Sequence, residues 1–600
     1  MARKKGWLVF LLVSGFFMIL GVMFIFGIRA ALEDRPIVKD NTVLKLNLSG
    51  LVTEQFSRDA FGREFEDASL QMHDIHHALA MAKVDKRVRG LHLVVNEPDL
   101  GWAKAREIRQ VLQDFKSSGK FVTAFMETCN ERSYYIACMA DEIYLQPHSF
   151  VEFNGLASEV PFLKRMFNKL GMEPQVETIG KYKNAGDVLK RESMTPAHRE
   201  ATAAVLEDVY NEFVQTVCAR RGLDRMAFES LLNKGIYISE DALKEKLVDQ
   251  LKYETEVTDL LKEKIFAADS TNRKERSLNT LSVSRYARVP AEDVGLAKGS
   301  KIALIYAIGS IVSGEGGIDP LFGRSMGSDA IADLLRTAKN NRAVKAVVLR
   351  VDSPGGSAVA SDVIWAEIEK VQKEKPVIVS MSDVAASGGY WISMGCDAIV
   401  AQPTTITGSI GVVGSIFDLS GTYDKLGINW ETVKKGEHAD SFTEKRPLTD
   451  EEWQLLKDHI SAIYGTFLEK AAEGRHKTRE EVDKVGQGRV WTGVRALQYG
   501  LIDSLGGLDA ALAIAKKKAG LAADAPTQWI VYPQPKSFFD SLVEKLSVRF
   551  AKLWTPKFEE WAIIQKLPAE TKQALRQIAI MRQFRNGEAL AVEPQVPIVR

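Results

Sequence analysis

The run VRGLHLVVNEP from Val88 returns as VKAVVLRVDSP from Val344, an offset of 256 residues (344 minus 88). YYIACMADEIYLQP from Tyr134 and YWISMGCDAIVAQP from Tyr390 repeat at the same offset, as do NKLG ending at Gly171 and DKLG ending at Gly427. EKLVD ending at Asp249 and YGLID ending at Asp503 close the two copies within a few residues of that register. A duplication on this scale leaves few architectures open. Each copy must bury a core of its own, and 600 residues exceed what one core organises.

Inside each copy, short Val/Ile/Leu-rich runs alternate with longer amphipathic patterns. Val43 to Leu48 alternates apolar and polar residues as a half-buried strand does, whereas Ile302 to Ile308 is apolar almost throughout. Ile75 and Ile331 open matching helical patterns, and Ser361 to Lys373 reads as a helix between strands at Ala346 and Val377. This predicts βαβ units around buried parallel sheets, so the fold class is α/β with two tandem repeats. The repeats are expected over 43–268 and 301–520, joined by a polar connection over 269–300 that contains STNRKERS. Residues 521–600 are expected to form a helical extension. In it Phe538, Phe539, Leu542, Val543, Leu546, Phe550 and Trp554 recur at helical spacing, a stripe fit to pack on the body, a neighbouring subunit or a membrane surface.

Trp7 to Ile28 carries no charged residue and has the length of a bilayer-spanning helix, so 7–28 is expected to be a transmembrane anchor. A cleavable signal peptide has a shorter apolar core. Arg3, Lys4 and Lys5 keep residues 1–6 cytoplasmic and put the body on the other side of the membrane. The net charge of +1 gives no footprint for nucleic acid. Cys129, Cys138, Cys218 and Cys396 show no metal or disulfide spacing and read as buried thiols. His73, His76 and His77 share a helix with no Cys, Asp or Glu completing a recognisable metal site, which predicts a solvated face rather than a zinc site. No metal or cofactor is expected.

The second copy carries three glycine-marked loops after apolar strands: Asp352-Ser353-Pro354-Gly355-Gly356-Ser357, Ala386-Ser387-Gly388-Gly389-Tyr390 and Thr407-Gly408-Ser409-Ile410-Gly411. A glycine pair before a helix leaves backbone N–H groups open to an oxyanion, which makes Gly355 and Gly356 candidate donors. The duplication supplies its own comparison. At the 256 offset Ser409 stands opposite Phe153, Gly355 opposite Asp99 and Gly356 opposite Leu100, while Lys183 of GKYKNA stands opposite Ala439 of GEHADS. A nucleophile kept in one copy and a base kept in the other describe one site shared between them.

DSPGGS, ASGGYW, TGSIG and GRVWTG…GLID, with G-x-Y-K-x-A in the first copy, resemble the double-length form of the signal peptide peptidase A (protease IV) family. The resemblance covers nearly the whole chain. It implies a ClpP/crotonase-like fold in each half and a Ser/Lys dyad of Ser409 and Lys183. It further implies a homotetramer on the outer side of the cytoplasmic membrane, anchored in lipid and acting on remnant signal peptides and other apolar peptides. Ser387, in AASGGY, resembles the nucleophile position of ClpP peptidases and rivals Ser409. Lys181 stands two residues from Lys183 and rivals it as base. A lysine acts as a base only when neutral, so its ordinary pKa of about 10.4 must fall by roughly 3 units, which burial can supply. Two readings from other classes share the scaffold: an acyl-CoA enzyme of the crotonase type and a catalytically silent peptide-binding scaffold.

Overall fold

The computed structural model describes residues 36–54, 70–267, 277–296, 298–319, 323–533 and 590–592. The expected anchor, 7–28, and the apolar stripe, 538–554, lie outside the described residues. Among the described residues no helix is long and apolar enough to cross a membrane.

The first repeat runs through β1 (Thr42–Thr53), α1 (Met72–Val84), β2 (Val88–Asp99), α2 (Trp102–Lys116), β3 (Phe121–Met126), β4 (Glu142–Leu145), β5 (Glu173–Ile179), β6 (Gln250–Leu251) and β7 (Asn279–Ser282). Its sheet has the order β7-β1-β2-β3-β4-β6, with every neighbouring pair parallel. The second repeat follows the same plan through β8 (Ser300–Ile308), α3 (Ser328–Asn340), β9 (Val344–Ser353), β10 (Gly355–Ser357), α4 (Ala358–Gln372), β11 (Val377–Ala386), α5 (Gly388–Trp391), β12 (Ala398–Ala401), β13 (Ile406–Gly408), β14 (Val412–Asp418), β15 (Val490–Thr492) and β16 (Thr527–Tyr532). Its main sheet has the order β15-β13-β11-β9-β8-β16. The helices keep the offset of the duplication, α2 and α4 starting 256 residues apart (358 minus 102).

Parallel strands joined by crossover helices are covered on both faces, which is why β2 and β9 are apolar along most of their length. In the first repeat Leu44, Leu46 and Leu93 pack with Ile108, Leu112 and Phe115 of α2. In the second, Ala303, Ile305 and Leu349 pack with Ile364, Ile368 and Val371 of α4. Opposite Ser409, the first repeat places Phe153 in an edge-to-face cluster with Tyr134, Phe213 and Phe228, so the lost serine position has become core.

Several stretches differ from their sequence reading. The polar connection 269–300 contributes β7, an edge strand on the first sheet. The expected helical extension 521–600 begins as a strand, β16, parallel to β8, and its residues 590–592 form another strand. β7 and β16 are counterparts, so the second repeat runs past 520. The three histidines are not a solvated face. His73 meets the Tyr306 hydroxyl of the second repeat at 3.2 Å, and His76 Nε2 lies 3.0 Å from the Glu107 carboxylate, which Arg350 of the second repeat also binds. All four cysteines are free thiols.

Candidate active site

The repeats are joined by a strand pair that no local pattern announces. β5 of the first repeat pairs antiparallel with β14 of the second, from Glu173 opposite Asp418 to Ile179 opposite Val412. Val176, Ala185, Val188 and Leu189 close over Val413, Phe417 and Leu419 to form a small core across the joint. The pair ends where the chemistry begins. Ile179 leads into Gly180 and the lysine loop, and Val412 follows Ser409 by three residues.

Gly180 turns the chain with φ +114°, and a Cβ there would stand 2.4 Å from the Gln487 carbonyl carbon. Lys183 N–H donates to Gly180 O at 3.1 Å and Tyr182 N–H to Gln487 O at 2.8 Å, which fixes the loop on its own turn and against the segment that leads into β15 of the second repeat. Arg489 completes the clamp, lying 4.6 Å over the Tyr182 ring and donating to Glu200 at 2.6 Å. Lys183 is 3% exposed, and its Nζ donates to Ser409 Oγ at 2.9 Å and to Ser387 Oγ at 2.9 Å. The rival Lys181 is exposed, with its amine over the Tyr182 ring, and does not reach the serines. His438 and Ala439, at the lost lysine position of the second repeat, are exposed in a surface loop.

Both serines sit on turns with positive φ, +55° for Ser387 and +51° for Ser409, a strain that non-glycine residues bear only when the surroundings hold them there. Ser387 N–H donates to Gly408 O at 2.8 Å, and Ser409 N–H to Arg489 O at 2.8 Å. The Ser409 hydroxyl also faces Gly488 O at 3.3 Å. Behind Ser387, Tyr390 donates to Leu501 O at 2.9 Å, and burial pushes its phenol well up, so it stays a neutral donor.

β10, with Gly355 and Gly356, forms one wall of a slot and β14 the other. The segment β17 (Leu590–Val592) lies between them, antiparallel to both, with Gly355 opposite Val592, Gly356 opposite Ala591 and Val413 opposite Leu590. The slot therefore accepts extended backbone on both edges. Gly355 has φ +103°, and its N–H donates to Ser353 Oγ at 3.1 Å. An oxyanion role for that amide requires Ser353 to turn away.

Gly488 opens the GRVWTG motif and lies against the lysine loop. Gly488 has φ +74°, and a Cβ on it would lie 2.5 Å from Lys183 Cβ. A Gly488→Ala variant should lose peptide turnover by about a hundredfold while Tm falls by only a few degrees, because strain of about 1–3 kcal/mol is concentrated at one residue, Lys183, whose backbone N and Cα would lie 2.6 Å from the added Cβ. Equal turnover in the variant and the parent, measured on one apolar peptide, contradicts this.

A buried lysine bonded to a strained serine, at the carboxyl ends of a parallel sheet, is the equipment of a serine hydrolase that uses an amine as its base. The chain belongs to Peptidase family S49, whose pattern matches residues 114–266 and 369–522, one segment in each repeat, and it is a serine protease of that family. It is 36% identical over 502 residues to the chloroplastic serine protease SPPA of Arabidopsis thaliana, covering 83% of this chain and 72% of that one. To Protease 4 of Salmonella typhi it is 34% identical over 498 residues, covering 80% and 78%. To Protease 4 of Haemophilus influenzae it is 30% identical over 557 residues, covering 90% and 89%. Among solved structures a ClpP1 mutant from Listeria monocytogenes aligns with 35% of this chain and 94% of its own at 13% identity and a TM-score of 0.23, a likeness too slight to bear on the fold argued above.

Proposed function

We propose that the chain is a membrane-anchored serine endopeptidase, active as a homotetramer. In this reading it degrades remnant signal peptides and other apolar peptides on the extracytoplasmic side of the cytoplasmic membrane. The observation that carries the chemistry is the 2.9 Å hydrogen bond between Lys183 of one repeat and Ser409 of the other, buried beside a slot that takes extended backbone. The anchor and its orientation rest on Trp7 to Ile28 and the basic residues before it.

Ser409 Oγ attacks the scissile carbonyl and passes its proton to neutral Lys183 Nζ. The Gly355–Gly356 loop donates to the oxyanion, Lys183 returns the proton to the leaving amine, and water releases the acyl group by the same route. Ser387 holds Nζ in line through its own 2.9 Å bond and so orients the base. Substrate takes the place of β17 between β10 and β14 and binds there by strand addition, which recognises backbone. The test is cleavage of an apolar signal-sequence peptide against an acidic peptide of equal length by protein extracted from membranes. Internal cleavage of the apolar peptide, absent in Ser409→Ala, is the expected result. Cleavage unaffected by that change, or preference for the acidic peptide, overturns the reading.

A further inference from the structure

Lys104 belongs to the repeat that lost its glycine pair, stands in the first turn of α2, and is 8% exposed. Its Nζ donates to Asp352 Oδ2 at 2.6 Å and lies 3.0 Å from Asp383 Oδ2. Both acids come from the second repeat. Asp383 also accepts from the Gly101 N–H at 3.0 Å and the Lys104 N–H at 2.9 Å, so a carboxylate of one repeat caps a helix of the other. The α2 N-cap is glycine and has no side chain to do this, and a Cβ on Gly101 would fall 2.2 Å from Asp383 Cγ.

The two acids sit at the roots of the active-site loops. Asp352 is the penultimate residue of β9, three residues before Gly355, and its Oδ1 accepts from the Val384 N–H of β11 at 3.2 Å. The next residue, Ser353, donates to Gly309 O at 2.7 Å and holds the Gly355 N–H. Asp383 lies on β11 four residues before Ser387, and Ala386 at the end of that strand is paired with Gly408, the neighbour of Ser409. A second ionic knot backs this one: Arg350 of β9 binds Glu54 at 2.9 Å and Glu107 at 2.6 Å, and Ser382 bonds to Glu54.

We propose that Lys104 is a positioning residue for catalysis: by balancing Asp352 and Asp383 together it holds the ends of β9 and β11 in register, and with them the glycine loop and the paired serines. Two carboxylates on adjacent strands, away from water, repel each other strongly. The helix end offers about half a charge to Asp383 alone. Burial opposes the charge on Lys104, yet Asp352 and Asp383 outweigh it and hold the amine above the ordinary lysine range. Burial pushes the Asp352 carboxyl up, and Lys104 offsets this only in part. Without Lys104 one acid must take up a proton or the strand ends must part.

The inference rests on the Ser409–Lys183 reading, and the experiment keeps the two apart. Parent, Lys104→Met, Asp352→Asn and the double variant are compared as full-length protein for kcat and KM on an apolar quenched-fluorescence peptide and for the rate of labelling by a fluorophosphonate. A parent that neither cleaves nor labels refutes the site itself. With an active parent, Lys104→Met is expected to lower kcat and the labelling rate tenfold or more, with KM within twofold. In the Asp352→Asn background, where one of the two repelling charges is gone, the same change should cost less than threefold. If Lys104→Met does not accumulate as folded protein, the ratio of the double variant to Asp352→Asn decides. A folded double variant with kcat tenfold or more below Asp352→Asn overturns the proposal, and so does Lys104→Met with parental kcat.

Discussion

Lys183→Met is expected to lower peptide turnover by about three orders of magnitude or more while leaving the Tm unchanged or raised. Loss of a general base alone costs about 10²–10⁴ in rate, and the loss grows where base and nucleophile act as a unit, as two groups 2.9 Å apart must. The fold loses little. Methionine keeps an unbranched stem in the space around Gly488, and Ser409 Oγ retains Gly488 O at 3.3 Å. Ser387 gives up one hydrogen bond, about 1 kcal/mol, against relief from holding an amine away from water. Lys183→Arg should also be inactive, since a guanidinium does not give up its proton, and should melt lower because a permanent charge is then buried. Turnover and thermal melting of both variants beside the parent check this. A methionine variant that melts far below the parent, with an active arginine variant, would make Lys183 a charged structural residue.

The second large effect separates the two serines, which the lysine contacts at equal distance. In the proposed mechanism Ser409→Ala removes the attacking oxygen, and it is expected to cost about three orders of magnitude or more in kcat. Ser387→Ala removes only one of the hydrogen bonds that aim Nζ, so a loss of about tenfold is expected, with KM little changed. Ser409 has the stronger claim to attack because it stands where β14 begins, the strand that forms one edge of the slot. Steady-state kinetics on one peptide suffice, and the reverse ranking exchanges the roles.

What the sequence made legible follows from where each signal resides. The two parallel sheets and their offset were readable because a strand covered on both faces must be apolar along its length, and β9 shows that in its own residues. The duplication pointed to Lys183 in one repeat, against Ala439, and Ser409 in the other, against Phe153, and the structure brings the two side chains to 2.9 Å. The β5–β14 pair was not, because antiparallel pairing between distant segments leaves no mark on either one. The edge strand β7 has the sequence NTLS and is only half-buried, so composition hid it in a polar stretch. The histidine face failed for a related reason: a helix pattern shows which side is polar but not that another repeat covers it. Lys104 carries no local signal, since Asp352 and Asp383 are hundreds of residues away in sequence.

Mapping the site of fluorophosphonate attachment tests the shared site most directly. Full-length parent, Lys183→Met and Ser387→Ala are labelled, digested and analysed by mass spectrometry. An adduct on Ser409 is expected in the parent, the same adduct formed more slowly in Ser387→Ala, and none in Lys183→Met. An adduct on Ser387, or undiminished labelling of Ser409 without Lys183, would contradict the shared site.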